Sequence, residues 1–187
     1  MHRSLVSLVA ICGAAAWSSS ATATVVRPLT VSALTSRAHV VVQGRVLDQV
    51  GSWDSLKRGI YTHTRIGVLR SLKGEVAEKE ILVRQLGGSA GGYVMGLSGN
   101  APLRVGEEVV LFLTRDGHHH YVVGLAQGKY AVRADGSGRK VVSQDLSGLA
   151  FARWTPGGRM ILSRRLELAG PRYLDDLEAQ VKAALSK

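Results

Sequence analysis

The sequence predicts a mostly β fold, a closed or nearly closed antiparallel barrel with a short helix before it and another helix at the C-terminus. Three observations carry that prediction. Apolar and polar residues alternate with a period of two in several short runs. Asp-Gly and Pro-Gly pairs separate the later runs at hairpin spacing. Helical periodicity is confined to two stretches, one ahead of the first strand and one at the end of the chain.

The chain opens on Met1-His2-Arg3, a positive segment, followed by an apolar stretch from Leu5 to Trp17 and by Ala21-Thr22-Ala23. A charged start, a short apolar run and an A-x-A site are the pattern of a secretory signal peptide. Residues 1–23 are therefore expected to be removed, leaving 24–187 as one domain in the periplasm or outside the cell. Cys12 lies inside the apolar stretch after Ile11, where a small residue would be needed for lipidation. It is the single cysteine, so the processed chain has no thiol for nucleophilic, redox or metal chemistry. Asn100 is followed by Ala101-Pro102, which is no glycosylation sequon. An export signal without disulfides or sequons fits a bacterial envelope or secreted protein. No apolar run reaches the roughly 18 residues of a membrane-spanning helix.

Thr30 is a good N-cap for a helix through Arg37, with Val31 and Leu34 on one side. From Ala38 to Val46 the even positions are small or apolar and His39, Gln43 and Arg45 alternate with them, Val41 being the exception. Ile60 to Val68 repeats the alternation, and Ile81 to Leu86 is a third strand. Val109 to Leu113 is continuously apolar, as in a central strand covered on both faces. Asp116-Gly117 then leads to a strand over Tyr121 to Ala126, Asp135-Gly136 joins Lys129 to Arg133 with Arg139 to Ser143, and Thr155-Pro156-Gly157-Gly158 joins Leu149 to Trp154 with Arg159 to Ser163. Gly170-Pro171 opens a helix carrying Leu174, Leu177, Val181 and Leu185. The barrel core covers about residues 38–145, and a C-terminal hairpin and helix cover 146–187.

The helix, the strand Ala38-His39-Val40-Val41-Val42-Gln43-Gly44-Arg45-Val46, the closure at Leu72-Lys73-Gly74 and Val105-Gly106-Glu107 before a buried strand together resemble the OB-type barrel of netrin-like modules. That group includes the tissue inhibitors of metalloproteases. Exported bacterial proteins with a Gly-Glu-Glu string before an apolar run are similar as well. The resemblance implies an OB-like antiparallel barrel over about Leu29 to Asp145. The inhibitors' zinc-chelating Cys-x-Cys at the mature N-terminus is replaced here by Thr24-Val25-Val26, so inhibition of a protease stands as an alternative function by analogy of fold alone and not by matching residues.

Candidate chemistry is sparse. Gly87-Gly88-Ser89-Ala90-Gly91 matches the G-x-S-x-G nucleophile elbow, and Asp116 and His118 follow in the Ser–Asp–His order of an exported hydrolase. The elbow requires a helix after the serine, and Gly91, Gly92, Gly96 and Gly99 predict a flexible loop instead. His118-His119-His120 on a hairpin tip point to alternate sides and do not converge as metal ligands do. No cofactor is expected. Trp53 lies between the first two strands, where an exposed tryptophan serves recognition and a folded-back one covers the barrel mouth.

Charge is the most informative surface property. The formal net charge is +10, with 17 arginines against 7 lysines. Arg153, Arg159, Arg164 and Arg165 fall between Ser147 and Leu166 with no acidic residue among them. The guanidinium fork suits phosphate and carboxylate. The expected function is a non-catalytic binding module of the envelope that recognises an anionic polymer or a protein partner through these arginines and Trp53. Aromatics at 5% and strands without interleaved stacking residues argue against nucleic acid.

Overall fold

The computed structural model describes residues 23–165 and 170–186. The expected signal peptide lies outside the described residues except for Ala23. In chain order the elements are β1 (Thr24–Val26), α1 (Val31–Arg37), β2 (Val40–Trp53), β3 (Ile60–Lys73), β4 (Glu80–Leu86), β5 (Gly88–Ala90), β6 (Tyr93–Met95), β7 (Glu108–Asp116), β8 (His119–Val122), β9 (Lys129–Ala134), β10 (Lys140–Ser143), β11 (Leu149–Trp154), β12 (Met160–Ser163) and α2 (Leu174–Leu185). A single 3-10 turn spans Leu125–Gly128 before β9. The chain is thus mostly β with one helix near each end.

Seven strands form the main sheet in the order β10-β9-β7-β2-β3-β4-β8, and β8 pairs back onto β7. The strands β7, β2, β3, β4 and β8 therefore close a ring. Its pairings are antiparallel except for β4 with β8, which meet in parallel at Val83 and His120. A second sheet has the order β1-β11-β12, and β5 and β6 make a small hairpin.

Strand β7 explains how two cores coexist. Its side chains alternate, so Val109, Leu111 and Leu113 face the ring interior with Val42, Ile66 and Val83, while Val110 and Phe112 face outward. That outer face is not wet. It carries α1 and α2, whose Leu34, Leu177 and Val181 pack with Val41, Phe112 and Tyr130. Val41, the residue out of step in the alternation of β2, is apolar because it lies under these helices. Each such fully buried side chain contributes about 1.5–3 kcal/mol.

Local chemistry holds α1 in place. The Thr30 hydroxyl accepts a hydrogen bond from the Ala33 amide at 3.1 Å. At the other end the Lys73 ammonium donates to the Thr35 and Ala38 carbonyls, each at 2.6 Å, a cation on the negative end of the helix. Asp175 and Asp176 occupy the first turn of α2, where carboxylates suit the helix dipole.

Several boundaries differ from the expected ones. Strands β2 and β3 run on to Trp53 and Lys73 and pair along their whole length, with bulges that keep the register as the ribbon bends. The strand expected over Tyr121 to Ala126 is instead β8 at His119–Val122, and Gly124 in the left-handed region turns the chain into the 3-10 segment. The expected flexible loop after Leu86 contains the β5–β6 hairpin. The pairing is not purely antiparallel, since β1 runs parallel to β11 as well.

Candidate functional site

Ser89 sits on β5, exposed, opposite Val94 of β6. Gly91 and Gly92, both with positive φ, reverse the chain into a strand and not a helix. Gly87 and Gly88 of the motif serve packing, as does Gly51 of β2. A Cβ on Gly51 of β2 would lie 2.1 Å from the Ser89 carbonyl oxygen, and one on Gly88 would lie 2.2 Å from the Thr62 hydroxyl. Asp116 and His118 lie at the β7–β8 turn, and His118 lines a cavity with Ile81 at the start of β4. Ser89 follows the other end of β4, roughly 16 Å away at about 3.3 Å per residue from Ile81 to Leu86. The serine, aspartate and histidine of the hydrolase pattern are not brought together.

The three histidines part company. The His119 ring lies 5.6 Å from the His63 ring of β3, while His118 is exposed. His120 pairs with Val83, and its Nδ1 is buried without a hydrogen-bond partner. Burial holds His120 below its ordinary value despite a hydrogen bond to the Leu82 backbone, and Arg115 adds to the depression. Burial, with Arg84 and His119 nearby, likewise depresses His63. Beside His118 and His120 lies a cavity of about 250 Å³ rimmed by Glu75, Glu78 and Arg115. Among the described residues, no three His, Cys, Asp or Glu side chains are grouped to hold a metal ion.

Trp53 ends β2 and meets Tyr93 of the β5–β6 hairpin edge-on, with ring centroids 5.6 Å apart at 72°. It belongs to the main sheet, whereas the arginines of the expected binding set ride on the β1-β11-β12 sheet. Trp53 and these arginines are carried by different sheets.

The arginine segment is an antiparallel hairpin, β11 and β12 joined through Thr155–Arg159. Its register pairs Trp154 with Met160, Arg153 with Ile161, Ala152 with Leu162 and Phe151 with Ser163. Paired residues share a face. One face therefore carries Trp154, Met160, Ala152 and Leu162, extended on β1 by Val25, which pairs with Ala150. The other face carries Phe151, which is buried with Leu149 and Ala126 and fixes the base of the hairpin to the body. Beyond Phe151 the hairpin projects, and Trp154, Met160 and Leu162 are 59%, 52% and 52% exposed, with Ile161 at 47% on the reverse face.

Arg159 occupies the turn, Arg153 the reverse face, and Arg164 and Arg165 the exit from β12. All four are exposed. Among the described residues, the guanidinium groups of Arg159 and Arg165 meet no carboxylate, unlike Arg65 and Arg70, which pair with Asp48 and Glu178. Sequence reasoning found the arginines and missed the apolar face between them. Its signal was Met160-Ile161-Leu162, an apolar run without alternation in a strand too short to be central.

Comparison with protein-family models, with curated proteins and with solved structures finds no match for this chain. Among the described residues, no helix is long and apolar enough to cross a membrane.

Proposed function

We propose that this chain is an exported, non-catalytic binding module that holds an anionic partner at the cell envelope through the β11–β12 hairpin. The observation that carries the reading is the cationic segment from Leu146 to Arg165. It has no acidic residue of its own and projects from the body with Arg159 and Arg165 facing no carboxylate among the described residues. Arginine retains its charge at any physiological pH and pairs with phosphate or carboxylate in a fork.

We further infer an OB-like ring related to netrin-like modules. Support comes from the ring order, in which the first, second, third, fifth and fourth strands succeed one another and the third and fifth run parallel. The export part of the reading is supported by the sequence pattern of residues 1–23, a charged start, a short apolar run and Ala21-Thr22-Ala23.

The test is retention on a sulfated dextran column across a salt gradient. The wild type elutes in moderate salt, and Arg159→Gln with Arg165→Gln elutes earlier with a shallower salt dependence by about two charges. Equal elution of the variant and the wild type removes the hairpin from the reading.

A further inference from the structure

We propose that the anionic partner is a lipid surface and that the β11–β12 hairpin dips its tip into the headgroup layer of a bilayer carrying acidic lipids. The inference rests on the reading of the hairpin as an anion-binding element and adds what its apolar side chains do.

A soluble polyanion uses the arginines and leaves Trp154, Met160, Leu162 and Ile161 in water. Those side chains lie on both faces of the tip. A protein partner seated on one face of the sheet covers the set with Trp154 and leaves Ile161 out. A lipid interface surrounds the tip and accepts both faces. Tryptophan favours that depth because its ring is apolar and its N–H meets water or headgroups. Arginine spans it by laying its methylenes along the acyl boundary while the guanidinium stays with the phosphates.

The arginines stand where that geometry needs them. Arg153 and Arg159 flank the tip, and Arg164 and Arg165 follow β12 directly. The chain's charge of +10, one unit of which is Arg3 in the expected signal peptide, draws the whole molecule to an acidic surface. A second copy is a poorer occupant. Antiparallel pairing along the edge of β12 would set Arg159 of one copy against Arg164 of the other, since these two flank the strand.

The experiment is co-sedimentation with phosphatidylcholine vesicles with and without added phosphatidylglycerol, beside the dextran sulfate column. Each protein is isolated from the same cell fraction so that all variants share one N-terminus. The wild type is expected to sediment with the acidic vesicles and not with the neutral ones. Trp154→Ser with Leu162→Ser should lower vesicle binding about tenfold, each lost apolar side chain removing part of the buried area, while column retention stays that of the wild type. Arg159→Gln should lower vesicle binding about fivefold, the weight of one arginine near an acidic surface, and should lower retention on the column too. Met160→Ser on the same face gives the same test should Trp154→Ser melt the hairpin.

Undiminished vesicle binding by the serine variant overturns the lipid inference and leaves the anion reading standing, as does column retention with no vesicle binding. Absence of both in the wild type removes the two together. A dimer that Leu162→Ser dissolves shows that a second copy covers this face, and it too overturns the inference.

Discussion

Lys129 is a charged side chain at 2% exposure, and three oxygens hold it there. Its ammonium donates to both carboxylate oxygens of Glu107, at 2.8 and 3.0 Å, and to the Pro102 carbonyl at 2.6 Å. Burying a lone charge is expensive, so the pair is costly to break although its net worth is small. Lys129→Met leaves the Glu107 carboxylate with no cation and only the Arg104 amide, 3.3 Å away, as donor, and should cost about 3–5 kcal/mol in urea unfolding. Adding Glu107→Leu should recover most of the loss, less the penalty of the orphaned Pro102 carbonyl. A double variant no more stable than the single one would show that the stranded carboxylate is not the source of the loss. The sequence marked Lys129 only as the start of a strand. Its partner was legible as the Glu of Val105-Gly106-Glu107, but the contact joins the start of β9 to the turn before β7, and local periodicity carries no information about that.

At the scale of elements, the readable parts were those with a strong local period. Strands β2, β3, β4 and β7 and helices α1 and α2 stand where alternation or helical spacing placed them. Two classes of element escaped. Strand β1 is three residues long and pairs with a strand far along the chain, so neither length nor a turn announces it. The β5–β6 hairpin sits in a glycine-rich run, and glycine's freedom predicts a loop wherever its packing is invisible. Here the packing is decisive, because Gly51 lets the Ser89 carbonyl approach β2. Gly51→Ala should push the hairpin off the strand and separate Tyr93 from Trp53. We expect destabilisation of about 1–3 kcal/mol, the usual cost of overpacking, with a shift in tryptophan emission. An unchanged melting curve and spectrum would mean that the hairpin does not depend on this approach. The candidate site divides in the same way: four arginines were legible as residue types, and the projecting apolar face existed only once the register of β11 and β12 was known.

The whole molecule responds to pH through groups that mostly act in one direction. His63 and His120 are held below their ordinary value of 6.5 by burial, with cationic neighbours adding to it. The unfolded chain then binds more protons than the folded one, so stability falls as pH drops through 6.5 toward the depressed values. Glu108 is held down, against the opposing effect of its own burial, by hydrogen bonds from Lys140 and Gln43. The Ser137 side chain and amide hold Asp135 down. These carboxylates extend the loss as pH falls below 4.5 and 3.8. Protonation also adds to a charge that is already +10, and self-repulsion works against the compact state. At the alkaline end, burial raises Tyr130 to about 12. The folded chain keeps that proton longer than the unfolded one, and stability falls again as pH rises from 10 through 12. Thermal unfolding should therefore be highest near neutrality and drop in two acid stages. His63→Gln with His120→Gln should flatten the first stage between pH 7 and 5.5 and leave the second intact. An undiminished first stage in that variant would assign the acid loss to charge repulsion, and its disappearance at high salt would confirm the reassignment.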